Sequence, residues 1–184
     1  VPYLEKGQTV AIFTPMFSVF QLLHRLEERG ERIPEGVILS EVDILPYSCM
    51  RMYEAGVFIR TIKSEVRTAA IPVKDTENAI KALDIPPPTK CFPADNVLET
   101  SLSNIVGILD VPIVLGNIGL LANTRITPYY GFGLTPEIGR VIDSIDRERL
   151  EIGKTLGLKL RSIPEMVLRW YKRYGTRGTT TYEV

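Results

Sequence analysis

Apolar residues change their period partway along the chain, and the change divides it. Over the first half they come in short runs rich in β-branched residues: QTVAIFT (Gln8 to Thr14), GVILSEVD, PYSCMRM, GVFIRTIKSE and VRTAAIPV. Each reads as a strand, and the later ones lie close enough in sequence to be antiparallel neighbours. After QTVAIFT, the run MFSVFQLLHRLEERG places Met16, Val19, Phe20, Leu23 and Leu26 at helical spacing, and Gly30 closes it. Strand, turn at Thr14-Pro15 and amphipathic helix together make one βα unit of a layered sheet. KDTENAIKALDI predicts a short helix, and IPPPTK a stiff turn.

From Asp95 onward helical spacing takes over and start signals multiply. Asn96 with Glu99 has the form of a capping box before LSNIVGIL. In GLTPEIGRVIDSIDRERLEIGKTLG, Thr135 is an N-cap and Pro136 takes the first helical position. Ile138, Val141, Ile142, Ile145, Ile152 and Leu156 line one face, and Gly157 ends the helix. Ser162 and Glu165 repeat the capping pattern before PEMVLRWYKRYG. The expected fold class is α/β followed by all-α, with residues 1–95 a partial α/β domain and 96–184 a helical one.

Composition fits a chain that buries a core: 45% of its 184 residues are hydrophobic and 24% charged. Lys plus Arg and Asp plus Glu number 22 each, which gives no sign of a strongly basic surface for nucleic acid and favours a metabolite or a protein partner. Cys49 and Cys91 form no CxxC pair, so neither a zinc site nor a disulfide scaffold is expected, and a reducing cytoplasm is the default compartment. The most apolar stretch, IVGILDVPIVLG, is interrupted by Asp110 and Pro112 and reads as buried protein rather than a lipid span. The chain begins at Val1 rather than Met, a start that fits a processed initiator or a cut equally well.

Self-contained chemical motifs are missing: there is no GxGxxG after a strand, GxxxxGK[ST], HExxH or GxSxG. His24, the single histidine, sits on the polar flank of the first helix and reads as a surface residue. The charged run DRERLE reads as a solvated helix face with i,i+4 pairs. In NVLETSLSNIVGILDVP, a helix capped at Asn96 would bring Ser103, Asn104 and Gly107 onto one turn with Asp110 a turn further on. Such a face suits either close approach of a ligand or packing against another helix.

The stretches DNVLETSLSNIVGILDVPIVLGN, YYGFGLTPEIGRVIDSIDRERLEIGKTLGL and WYKRYGTRGTTTYEV, in that order, resemble the octopine and nopaline dehydrogenases. LEKGQTVAIFTP and AAIPVKDTENAIKAL extend the likeness over nearly the whole chain. The resemblance implies the later part of a Rossmann-type dinucleotide-binding domain, followed by the start of a helical dehydrogenase C-terminal domain. It implies NAD or NADP as cofactor, and reduction of the imine formed from an amino acid and a 2-oxo acid. Thr14 and Pro15 would then lie beside the nicotinamide, and Thr100, Ser101 and Asn104 would line the substrate cleft. Asp110 stands where the family carries its catalytic histidine, and Val106 where an asparagine is common. Thr14-Pro15-Met16 replaces an Asn-Pro-Gly turn. The glycine-rich phosphate turn is expected upstream of Val1 and an Arg-x-x-x-x-Asp segment beyond Val184. Histidine suits proton exchange near neutral pH, whereas an aspartate serves only if burial raises its pKa. A non-catalytic binding or assembly module is therefore the rival reading. An unpaired strand edge in an incomplete sheet leads to the further expectation of a homo-oligomer or a partner chain.

Overall fold

The strand runs and the helical runs settle into different units, Val1–Asn104 and Ile105–Val184. The computed structural model of the chain describes residues 3–124 and 129–184, so the Val1 start lies outside the described residues.

In the first unit, β1 (Thr9–Phe13) crosses through α1 (Ser18–Glu28) to the parallel strand β2 (Ile38–Val42). A parallel pair cannot be joined by a tight hairpin, and α1 supplies the crossover. β3 (Tyr47–Tyr53) and β4 (Gly56–Ile62) then form an antiparallel hairpin, a two-stranded sheet of their own. The chain returns as β5 (Glu65–Ile71), antiparallel to β2, with Leu39 opposite Ile71 and Val42 opposite Thr68. From there α2 (Thr76–Leu83) leads to β6 (Lys90–Pro93), parallel to β5. The resulting mixed sheet has the order β1-β2-β5-β6. Its centre is apolar, with Leu39, Val42, Val66, Ala69 and Ala70 buried, and α2 and α3 (Val97–Leu102) pack on β5.

Of the stripe predicted for α1, Val19 and Leu26 are buried while Met16 and Phe20 are exposed. The helix starts later than the apolar run because its N-cap residue, Phe17, is left-handed at φ 59°. Gly30 and Gly157 both follow their helices at positive φ, 65° and 75°, where a side chain would strain the backbone.

The helix expected to run from Asn96 through Asp110 is two helices, α3 and α4 (Val106–Gly116). Asn104 N closes a short turn on Ser101 O at 3.2 Å, and Ile108 N starts a new one on Ile105 O at 3.0 Å. Val97–Gly116 has the length of a membrane span and a mean hydropathy of 1.5, more continuous apolar character than the sequence pattern suggested. The fold divides it at Ser103–Ile105 and buries Glu99, Thr100 and Ser101. Asn96 caps α3 as expected, accepting from Leu98 N and Glu99 N. Glu99 does not complete the box: its carboxylate accepts from Asp95 N at 2.6 Å and pairs with Arg67. These bonds hold α3 to the sheet unit.

The second unit contains α4, α5 (Ile118–Thr124), α6 (Pro136–Thr155) and α7 (Ile163–Trp170). Thr135 caps α6 ahead of Pro136, and Ser162 with Glu165 forms the capping box of α7. The face that α6 buries differs from the predicted stripe. Gly139, Ile142, Asp146, Arg149 and Gly153 are inside, whereas Val141, Ile152 and Leu156 are about half exposed. DRERLE is thus a solvated face only in part. Arg149 Nε donates to Asp146 Oδ1 at 2.8 Å, and Ile163 N at the start of α7 donates to Asp146 Oδ2 at 2.9 Å. A carboxylate at a helix N-terminus is favourably placed, which is why this buried charge is tolerated.

Candidate functional site

β1 ends in the four residues Thr14-Pro15-Met16-Phe17, and two of them, Thr14 (φ 53°) and Phe17 (φ 59°), are left-handed without being glycine. Each such residue costs roughly 1–3 kcal/mol and persists only where its surroundings hold it. Here the surroundings are specific. Thr14 N donates to Val42 O at 3.1 Å, and Gln21 Nε2 donates to Met16 O at 2.8 Å. Asn104 Nδ2 donates to Pro15 O at 2.6 Å, and Phe17 N donates to Ser101 Oγ at 2.9 Å.

Behind the turn stands Glu41, on β2 and wholly buried. Its Oε1 accepts from Val19 N, in the first turn of α1, at 2.9 Å. Its Oε2 accepts from Ser101 Oγ at 2.7 Å and from Thr100 Oγ1 at 3.1 Å. The Thr100 hydroxyl also lies 3.0 Å from Val97 O, so its one hydrogen is shared. Ser101 therefore donates to Glu41 and accepts from Phe17 N, joining the carboxylate to the turn. No side chain of α1's own caps its N-terminus. Glu41 meets that need from the neighbouring strand.

The structure thus brings Thr14, Pro15, Thr100, Ser101 and Asn104 together, with Pro15 and Thr100 fully buried and Ser101 nearly so. Met16 and Phe17 are exposed on the turn. Glu41 escaped the sequence reading. Its one signal is an acidic residue in the apolar run GVILSEVD, which alternation permits on a solvent face and the fold puts inside.

Asp110 belongs to the second unit, on α4, where the Tyr129 hydroxyl hydrogen-bonds it. Burial and this carboxylate push the Tyr129 phenol well above its usual range. Tyr130, whose ring stands edge-on to Tyr129 at 4.9 Å, is largely exposed. His24 is on the surface, 3.5 Å from Glu28. Among the described residues no three His, Cys, Asp or Glu side chains are grouped to hold a metal ion. The recess beside Leu26 and Gly30, at the far end of α1, contains none of the candidate residues.

A βαβ crossover within a mixed sheet, followed by packed helices, makes this part of a Rossmann-like domain and the start of a helical domain. Residues 93–184 match the family model of the NAD/NADP octopine/nopaline dehydrogenase alpha-helical domain, and the chain belongs to that family. The opine dehydrogenase of Arthrobacter sp. (strain 1C) is 28% identical over 182 residues, covering 98% of this chain and 49% of that enzyme. The chain thus spans about half the length of this relative. Octopine dehydrogenase solved with NADH and L-arginine aligns with a TM-score of 0.63 at 16% identity, over 99% of this chain and 48% of its own. Yersinopine dehydrogenase with NADP+ bound gives 0.65 at 13% identity, over 91% and 41%.

Proposed function

We propose that the chain is the central section of an NAD(P)-dependent, opine-dehydrogenase-like oxidoreductase that reduces the imine formed from an amino acid and a 2-oxo acid. One observation carries the reading: a strained, externally braced turn at the carboxyl end of a parallel strand, where open α/β sheets bind their ligands. The family relationship supports a nicotinamide cofactor, and solved structures similar in fold were captured with NADH and agmatine or with NADH and pyruvate. The residues present fit the nicotinamide end of a dinucleotide. Glu41 already places a carboxylate at the N-terminus of α1, so this helix does not offer its dipole to a pyrophosphate. When bound, the reduced cofactor supplies the hydride. Thr14 and Pro15 shape the surface it rests on, Asn104 and Ser101 hold that surface directly, and Thr100 bears on it through Glu41. Asp110, in the family's histidine position, has its carboxylate bonded by Tyr129 and is the group nearest in role to a proton carrier.

The assay is oxidation of NADH or NADPH by the native protein isolated from its source cells. Consumption that requires both an amino acid and a 2-oxo acid is expected; no consumption with any such pair contradicts the reading. A carboxylate in place of the imidazole favours the second reading, a binding or assembly module that keeps the fold without turnover. Hydride transfer would sink it. The expected homo-oligomer or partner chain is supported by the apolar residues Met50, Met52, Val57 and Phe58 exposed on the β3–β4 hairpin. Sedimentation at increasing concentration tests it. Two free thiols, Cys49 and Cys91, suit a reducing cytoplasm.

A further inference from the structure

We propose that Glu41 is the positioning residue of the cofactor turn, setting the conformation of Thr14–Phe17 from inside the sheet through Ser101 and the first turn of α1. The inference rests on the dinucleotide reading of that turn. Only a group that accepts on both sides satisfies this place. Val19 N presents a donor from α1, and the hydroxyls of Ser101 and Thr100 present donors from α3. A carboxylate accepts from all of them, whereas an amide has one accepting oxygen and must face a donor on its other side. The burial is complete and β2 is a central strand, so the carboxylate has no water to turn to. Thr68 Oγ1 donates to Glu41 O at 2.7 Å, tying the main chain of this residue to β5 as well. The position of Glu41 is thus fixed by the sheet, and the two elements that flank the turn are referred to it.

The arrangement explains the strain. Phe17 is left-handed with its N–H aimed at Ser101 Oγ, and Ser101 can hold that acceptor geometry because its own hydrogen is committed to Glu41. Without that commitment the hydroxyl rotates, and the Phe17 amide loses a fixed partner. Thr100, Ser101 and Asn104 then act on the ligand through the shape of the turn. Glu41 thus bears on the ligand only indirectly, from the strand behind the turn.

The test is amide hydrogen exchange on the 15N-labelled chain, comparing wild type with Glu41→Gln, Ser101→Ala and the double variant, together with the affinity of each for NADH read from cofactor fluorescence. Exchange at Phe17 is expected to rise about three- to tenfold in each single variant, as the loss of one hydrogen bond implies. Amides in the centre of β5 should change less than about twofold, since a local opening leaves the global one untouched. The double variant should be no faster at Phe17 than Ser101→Ala, because both changes cut one link. NADH affinity should fall in the same order. Should Ser101→Ala fail to fold, the near-isosteric Glu41→Gln still carries the exchange and affinity comparison. Unchanged exchange at Phe17, or effects that add in the double variant, overturns the proposal. If wild type binds NADH and Glu41→Gln binds it equally well, the proposal fails while the dinucleotide reading stands. If exchange responds as expected but wild type shows no NADH binding, the dinucleotide reading fails and the inference falls with it.

Discussion

Asp43, one residue beyond β2, shows how strongly burial acts on single groups in this sheet. Its Oδ1 accepts from Arg67 N at 2.9 Å, yet burial outweighs that bond and pushes its pKa up to about 7. Lys63 moves the other way, down to about 8, again chiefly through burial, with Asp43 partly opposing the shift. Folded Asp43 keeps its proton where the unfolded residue has lost it, so stability falls as pH rises from about 4 to about 7. Lys63 adds a recovery between about 8 and its ordinary value of 10.5. Asp43→Asn should therefore gain on wild type across the lower window by on the order of 2–4 kcal/mol, read from urea midpoints at several pH values. A gap independent of pH would contradict this. Asp110 supports a second prediction. If the proton step waits on this position, Asp110→His should raise turnover in the imine-reduction assay about tenfold or more. An unchanged or lower rate would mean that the site has adapted around its carboxylate.

Sequence pattern revealed single residues unevenly. Thr14, Pro15, Ser101 and Asn104 were visible as parts of motifs, but Glu41 was not, because its partners lie 22 to 60 residues away. No local periodicity reports a carboxylate that is satisfied across the fold.

At the scale of elements, what was legible is what is local. Thr135, Ser162 and Gly157 announced the ends of α6 and α7, since a cap bonds within a few residues of itself. The buried side of α6 was not announced, because it packs on α4, caps the N-terminus of α7 through Asp146, and counts the ion pair Asp146 and Arg149 among its occupants. The division of α3 from α4 was hidden for the same reason: Asn104 leaves its helix to hold Pro15, 89 residues distant in sequence. Asp146→Ala should cost about 3 kcal/mol of stability by taking the carboxylate from the buried Arg149 guanidinium, which keeps only neutral acceptors such as Arg161 O. Replacing Arg149 with Met in the same chain should recover part of that loss, because the uncompensated charge is then gone. Denaturant titration reads both, and a cost below about 1 kcal/mol would mean that neutral acceptors such as Arg161 O suffice for Arg149.

At the scale of the whole molecule, the first-half strands and second-half helices foreseen from the change of period are present, and residues 93–184 match the family's alpha-helical domain. The antiparallel pairing expected of the later strands is present in the β3–β4 hairpin, but the pairing of β2 with β5 around that hairpin was not foreseen, since only tertiary packing decides it. The braced turn after β1 is the element proposed to receive the nicotinamide. The most direct measurement is a titration of the 15N-labelled chain with NADH, followed by the backbone amide resonances. Progressive shifts at Thr14, Met16, Phe17 and Ser101 are predicted, larger than those in the Leu26 to Gly30 region at the other end of α1. Shifts that spare the turn, or none at all at millimolar NADH, would contradict it.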